Sequence, residues 1–133
     1  MADERIRPPV LSIPAQPASR KYHNQPLVIA GERFDSQVEA ARYLVLLERQ
    51  NRGQISGLRP QPRYELQAAF RDNQGRMTRA ITYVADFEYS DQGGQLVAED
   101  VKGGEATQTQ VWRIKAKMFK HRYPGIELRV VEA

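Results

Sequence analysis

Apolar and polar positions follow two rhythms along the chain, one of period two and one near period 3.6. Residues 81 to 89 are rich in Ile, Thr, Tyr, Val and Phe, and residues 96 to 102 hold Leu96, Val97 and Val101, so both runs suit a pleated sheet. Ser90-Asp91-Gln92-Gly93-Gly94 between them is turn chemistry, and a hairpin is predicted. Upstream, Tyr64, Leu66 and Ala68 alternate as in a half-buried strand. They follow Arg59-Pro60-Gln61-Pro62, whose prolines confine a strand to an edge or to its beginning. Asp72-Asn73-Gln74-Gly75 is a second turn.

The helical rhythm occurs twice. Leu27 to Ala30 suggests a short strand, and Gly31-Glu32-Arg33-Phe34 a turn, leading into a helix that begins at Asp35 or Ser36. Ser36-x-x-Glu39 is a capping box, and Val38, Ala41, Leu44, Val45 and Leu47 are the expected apolar face before Asn51-Arg52-Gly53. A second helix is predicted from about Gln110 to Tyr123, capped by Thr107 or Thr109 after the mobile connection Gly103-Gly104-Glu105-Ala106. Val111, Trp112, Ile114, Met118 and Phe119 are its expected core residues. Pro124-Gly125 ends it, and Ile126, Leu128 and Val130 alternate in a last strand able to return to the sheet.

Composition narrows the chemistry. Residues 1 to 20 carry Pro8, Pro9, Pro14 and Pro17 among small and charged residues and are expected to be a flexible arm, leaving residues 21 to 133 as one domain. Twenty Lys and Arg against 16 Asp and Glu give +4, with a pI near 9.6, which permits a polyanionic partner. The chain has no cysteine and only His23 and His121, which removes disulfides, zinc-thiolate sites and a well-supported Ser/His/Asp triad. Its longest apolar run, Tyr43 to Leu47, is too short to span a bilayer, so a soluble protein without a membrane partner is expected, and the lack of cysteine fits a reducing cytoplasm.

The predicted hairpin carries Asp86, Asp100 and Lys102. Residues two apart on a strand share a face, so Asp100 and Lys102 point one way while Glu99 and Val101 point the other. A loop centred on Gly93 opposes Asp86 to Asp100, whereas a two-residue loop at Gln92-Gly93 opposes Asp86 to Glu99. Two carboxylates held together raise each other's pKa unless a cation lies between them, and oxygen donors favour Mg²⁺ or Mn²⁺. The plain alternative is a solvated strand face. Glu39 likewise reads either as a helix cap or as a third carboxylate. Arg113, Lys115, Lys117, Lys120 and Arg122 make the second helix basic without an acid, suited either to phosphates or to solubility.

Taken in order, Glu39 on a first helix, Asp86 at a strand end, Asp100-Val101-Lys102 on the next strand and a basic helix resemble the PD-(D/E)xK nuclease superfamily. More narrowly, the chain resembles a small phage and prophage family of uncharacterised nuclease-like proteins. The residues that carry this are Lys21-Tyr22-His23-Asn24, Phe34-Asp35-Ser36 with Glu39-Ala40, Leu58 with Gln61-Pro62, Tyr83-x-Ala85-Asp86-Phe87 and Glu99-Asp100-Val101-Lys102-Gly103. Gln61-Pro62, Ala85-Asp86-Phe87 and Asp100-x-Lys102 are also similar to the endonuclease subunit of the Tn7-type transposase and to phage resolvase-like enzymes. Two positions depart from the superfamily's name: Ala85 stands for its proline and Asp100 for the more frequent glutamate.

The resemblance covers residues 21 to 131. It implies an α/β (α+β-like) restriction-endonuclease-like core, a central mixed β-sheet flanked by helices with the active site on the hairpin. It further implies a Mg²⁺- or Mn²⁺-dependent DNA endonuclease acting on branched or duplex DNA. Asp86, Asp100 and the Val101 carbonyl would hold metal, Glu39 a metal-bound water or second ion, and Lys102 the attacking water. Gln61, Arg113, Lys115, Lys117 and Lys120 would face phosphates, and cutting both strands would require a homodimer. The alternatives are a catalytically silent DNA-binding module, or a phage interaction protein, on the same fold.

Overall fold

The structure, a computed structural model, describes residues 26–34, 36–102 and 109–132. The expected arm, Thr107 and the glycine connection lie outside them. A small hairpin, β1 (Leu27–Ile29) and β2 (Glu32–Phe34), leads into α1 (Gln37–Asn51). Next come β3 (Ile55–Pro60), β4 (Arg63–Gln67), β5 (Phe70–Arg71), β6 (Met77–Thr78), β7 (Ile81–Val84), β8 (Phe87–Asp91) and β9 (Leu96–Lys102). The chain closes with α2 (Gln110–Arg122) and β10 (Ile126–Glu132). The central sheet has the order β10-β9-β8-β3, with β10 parallel to β9 and the other neighbours antiparallel. Among the described residues the fold is thus mixed α/β, mostly strands with two helices.

The β8–β9 hairpin adopts the register centred on Gly93: Phe87 faces Glu99 and Ser90 faces Leu96. Turn chemistry sets it. Asp91 Oδ1 accepts the Gly93 and Gln95 N–H groups, the Asp91 N–H donates to the Gln95 carbonyl, and Gly94 takes φ +87° where a side chain would be strained.

The run from 81 to 89, expected as one strand, is two strands that belong to different sheets. Pro62 has no N–H to continue a ladder, and Gln61 before it adopts φ +54°. Opposite this kink the other strand breaks at Ala85-Asp86. The Gln61 N–H donates to the Asp86 carbonyl at 2.8 Å, and the Ala85 N–H to the Pro62 carbonyl at 3.1 Å. Pairing survives the kink, since Pro60 faces Phe87 on one side and Arg63 faces Val84 on the other. Beyond it β5 pairs with β6, so residues 55 to 91 form one long bent hairpin.

The helices cover opposite sheet faces. On the α1 side Phe34, Tyr43, Leu46, Phe87, Tyr89 and Val97 form one core; on the α2 side Tyr64, Leu66, Tyr83, Ala98 and Phe119 form the other. Both expected apolar faces need correction. In α1 the buried residues are Ala40, Tyr43 and Leu46, with Val38 and Leu47 partly buried, while Ala41, Leu44 and Val45 are exposed. Tyr43 sets this rotation by stacking on Phe87 at 5.9 Å and packing on Phe34 at 4.8 Å. In α2 Ala116 and Phe119 are buried and Trp112 and Met118 half-buried, but Val111 and Ile114 are exposed. Phe119 lies edge-on against Tyr64 and Tyr83, which turns the 112/116/119 stripe inward. The alternation predicted for the outer strands also stops early: Leu66 is buried but Ala68 is exposed, and Val130 is exposed where Ile126 and Leu128 pack on the α2-side core.

Candidate active site at the break between two strands

Asp86 sits where the β8 ladder ends, and there its carboxylate replaces a main-chain partner. The Asp86 N–H donates to the Glu99 carbonyl at 3.0 Å, and Asp86 Oδ2 accepts the Val101 N–H at 2.6 Å. The paired register ends one step before Asp86, at Phe87 and Glu99, and the charge of Asp100 acts on Asp86. In an antiparallel ladder a residue's N–H and C=O leave the same strand edge, so the Val101 carbonyl faces Asp86 too. Burial pushes the Asp86 pKa well above the usual carboxylate range, up to about 9, with Glu39 and Asp100 adding to the rise and the Val101 N–H opposing it.

Asp100 is buried and points towards α2. Its Oδ2 accepts from the Tyr83 hydroxyl and from the Trp112 indole N–H, both at 2.5 Å. Lys102, two residues on and so on the same face, places Nζ 3.8 Å from Asp100 Oδ1 and 4.7 Å from the centre of the Trp112 ring. Burial, and then the hydrogen bond to Asp100, raises the Tyr83 pKa, which keeps this phenol a donor. Trp112 reaches Asp100 from the first turn of α2, where Thr109 Oγ1 accepts the Trp112 N–H at 3.0 Å.

Glu39 stands in the first turn of α1. Ser36 Oγ accepts the Val38 and Glu39 N–H groups at 3.1 and 3.3 Å, which is the serine half of the expected capping box. The charge of Glu39 also acts on Asp86, so cap position and site position coincide. Gln61 reaches the site through its backbone, as the N–H that holds the Asp86 carbonyl. Its side-chain amide turns to the Arg33 carbonyl at 3.4 Å. Among the described residues, no three His, Cys, Asp or Glu side chains are grouped closely enough to hold a metal ion.

Glu99 is the adjoining acid with the opposite role. Its side chain is fully buried on the α1 face, where Arg42 binds both oxygens at 2.8 and 2.9 Å and the Tyr89 hydroxyl donates at 2.5 Å. Burial and this bond push the Tyr89 pKa to about 12, and the Glu99 hydrogen bond raises that of Arg42. The pair is structural and shut off from Asp100 by the sheet itself.

On α2, the side chains of Arg113, Lys115, Lys117 and Lys120 make no hydrogen bond or ion pair among the described residues. At 100° per residue Arg113, Lys117 and Lys120 share one flank, whereas Lys115 lies on the other with Val111 and Met118. Arg122 is occupied at β4, 3.3 Å from the Leu66 carbonyl and 3.8 Å from Glu65.

A family model described as "Protein of unknown function (DUF1064)" matches residues 19–133. The chain belongs to the DUF1064 family. No curated protein and no solved structure matches it. In this DUF1064 chain the side chains that fix the two neighbouring acids, Tyr83, Trp112 and Arg42, are not among the expected site residues. Tyr83 stands in the motif Tyr83-x-Ala85-Asp86-Phe87 and shares strand parity with Ala85, but neither signal gives it a role at Asp100. Arg42 gave none, because its partner is 57 residues away.

Proposed function

We propose that this protein is a metal-dependent DNA endonuclease with a restriction-endonuclease-like core. One observation supports the reading: where two paired strands part, Asp86 is buried and feels the charge of Asp100, which itself lies 3.8 Å from Lys102, so the Asp86 charge is costly without a cation. The donor set, carboxylates with one carbonyl, suits Mg²⁺ or Mn²⁺. Asp86, Asp100 and the Val101 carbonyl would hold the ion, with Glu39 acting directly or through water. Bound there, it would supply Lewis-acid activation of a phosphodiester and of a water molecule.

The chain's own groups supply the rest. Tyr83 and Trp112 lock Asp100 in one orientation, so its free lone pairs keep a fixed direction. The Lys102 ammonium, held between Asp100 and the Trp112 face, is placed to orient water and to offset charge developing on phosphorus. The flank of Arg113, Lys117 and Lys120 offers three unpaired cations to a phosphate backbone, with Lys115 available to a second strand. A compact domain with one such site would cut both strands as a homodimer.

The second reading, a DNA-binding module without turnover, is favoured by the lack of a three-residue metal cluster among the described residues. One experiment separates the two. Junction, flap, duplex and single-stranded DNA are incubated with the protein and Mg²⁺ or Mn²⁺, beside D86A and K102A. Divalent-dependent cutting by the wild type, lost in both variants while DNA binding persists, is expected. DNA binding with no cutting selects the silent module, and undiminished cutting by either variant refutes the site.

A further inference from the structure

Beyond the kink at Gln61-Pro62 the bent hairpin leaves the body of the protein. From Gln67 to Met77 nearly every residue is exposed, whichever side of the ribbon it lies on. Phe70 pairs with Thr78 and Arg71 with Met77, so Phe70 and Met77 project from opposite faces, and both are exposed. A ribbon that buries neither face gains nothing from packing, and it stays ordered through its turn. Asp72 Oδ1 accepts the Gln74 and Arg76 N–H groups at 2.8 and 2.9 Å, Gly75 takes φ +81°, and Arg71 Nη1 donates to the Gly75 carbonyl at 2.9 Å.

This turn decides the charge of the tip. Asp72, the only acid between Gln67 and Ala80, is committed to backbone N–H groups, while Arg76 and Arg79 are exposed and their side chains make no hydrogen bond or ion pair among the described residues. Arg79 shares a face with Arg71 and Met77, and Arg76 shares one with Phe70 and Thr78, so each face combines a cation with an apolar side chain. A two-stranded ribbon of this width fits the major groove of B-form DNA. Its length also matches. Asp86 lies eleven positions beyond Gly75, at most about 36 Å at roughly 3.3 Å per extended residue, close to one turn of duplex at about 34 Å.

We infer that the outer part of this ribbon, from Gln67 through β5 and β6 to Ala80, is a duplex-DNA-binding arm. Arg76 contacts a backbone phosphate about one helical turn from the strand break at Asp86, Arg79 contacts one about two thirds of a turn away, at roughly 23 Å, and Phe70 and Met77 lie against the groove. The inference rests on the DNA reading above and adds to it a contact remote from the reaction, with a minimum duplex length.

The test uses the full chain in EDTA, so that binding is read without cleavage. Fluorescence anisotropy is recorded from about 50 to 200 mM KCl. The probes are a duplex of about 30 base pairs, a duplex of about 10 and a single strand, each with wild type and R76A/R79A. Neither arginine side chain supports the turn, and circular dichroism and thermal unfolding check that the fold is intact. For the long duplex the double variant is expected to bind on the order of tenfold more weakly, with a salt slope shallower by about 1.8 for two lost phosphate contacts. The short duplex is expected to change much less. Unchanged slope and affinity in a variant whose wild type binds the long duplex overturns the arm and leaves the site reading standing. An equal loss on both duplexes, or a loss on single strands alone, also overturns it. Wild type that binds no DNA removes the arm and the DNA reading together.

Discussion

Replacing Asp86 by asparagine is expected to stabilise the fold while destroying its proposed activity. The Asp86 carboxyl titrates far above its unfolded value of 3.8, chiefly because burial penalises the charge. A carboxyl whose native pKa is raised favours folding most below the unfolded pKa, and that advantage is lost as pH rises towards the native value. Wild-type stability therefore carries a downward slope from about pH 4 to about pH 9, and D86N lacks it. Asparagine keeps an oxygen for the Val101 N–H and removes the charge that Glu39 and Asp100 oppose. Water entry and relaxation reduce the cost of a buried charge, so the gain expected at pH 8 is that of a two-unit pH displacement, about 3 kcal/mol. That corresponds to roughly 10 °C in Tm for a domain of this size. Urea and thermal unfolding of both proteins at pH 4, 6 and 8 measure it: equal stability at pH 4 and a difference growing with pH is the expected result. Adding Mg²⁺ at pH 8 is expected to raise the Tm of wild type alone. A D86N protein no more stable than wild type at pH 8, or a gain independent of pH, refutes the argument from burial.

Three further outcomes follow from the same structure. R42A leaves the fully buried Glu99 without its counter-charge and is expected to cost about 3 to 5 kcal/mol in urea unfolding, with R42M/E99L recovering much of the loss. Y83F removes one of two neutral donors to Asp100; unfolding stability is expected to fall by about 1 kcal/mol, and single-turnover cleavage to fall more steeply than DNA affinity. S36A deletes the hydroxyl that accepts the Val38 and Glu39 N–H groups and is expected to cost about 1 kcal/mol, read by thermal unfolding.

Local chemistry made much of this architecture legible. The Gly93-centred register follows from an aspartate that folds its own turn, and the Ser36 and Thr109 caps from short-range hydrogen bonding. Edge placement of β3, next to Pro60 and Pro62, follows from the missing proline N–H. The strand break at Asp86 was hidden, because its cause lies on the partner strand, in the kink at Gln61-Pro62. The helix faces were misjudged for a related reason. Leu44, Val45, Val111 and Ile114 have the right periodicity, but Tyr43 and Phe119 have larger surfaces to bury and aromatic neighbours to meet. At the site, the shared face of Asp100 and Lys102 follows from strand parity, whereas the Trp112 contact depends on how α2 docks and the Tyr83 contact on the break between β7 and β8.

Adjacency of Glu99 and Asp100 has a consequence for insertions and deletions. Sliding β9 by a single position would turn the strand over, and neither direction of sliding keeps both acids matched. One slide brings Asp100 to Arg42 but forces Glu99 into the place of Ala98, in the α2-side core. The other brings Glu99 to Trp112 but leaves Ala98 facing Arg42, a buried cation with no counter-charge. Two acids side by side, each answered on its own face, thus act as a ratchet tooth that holds β9 in a single setting.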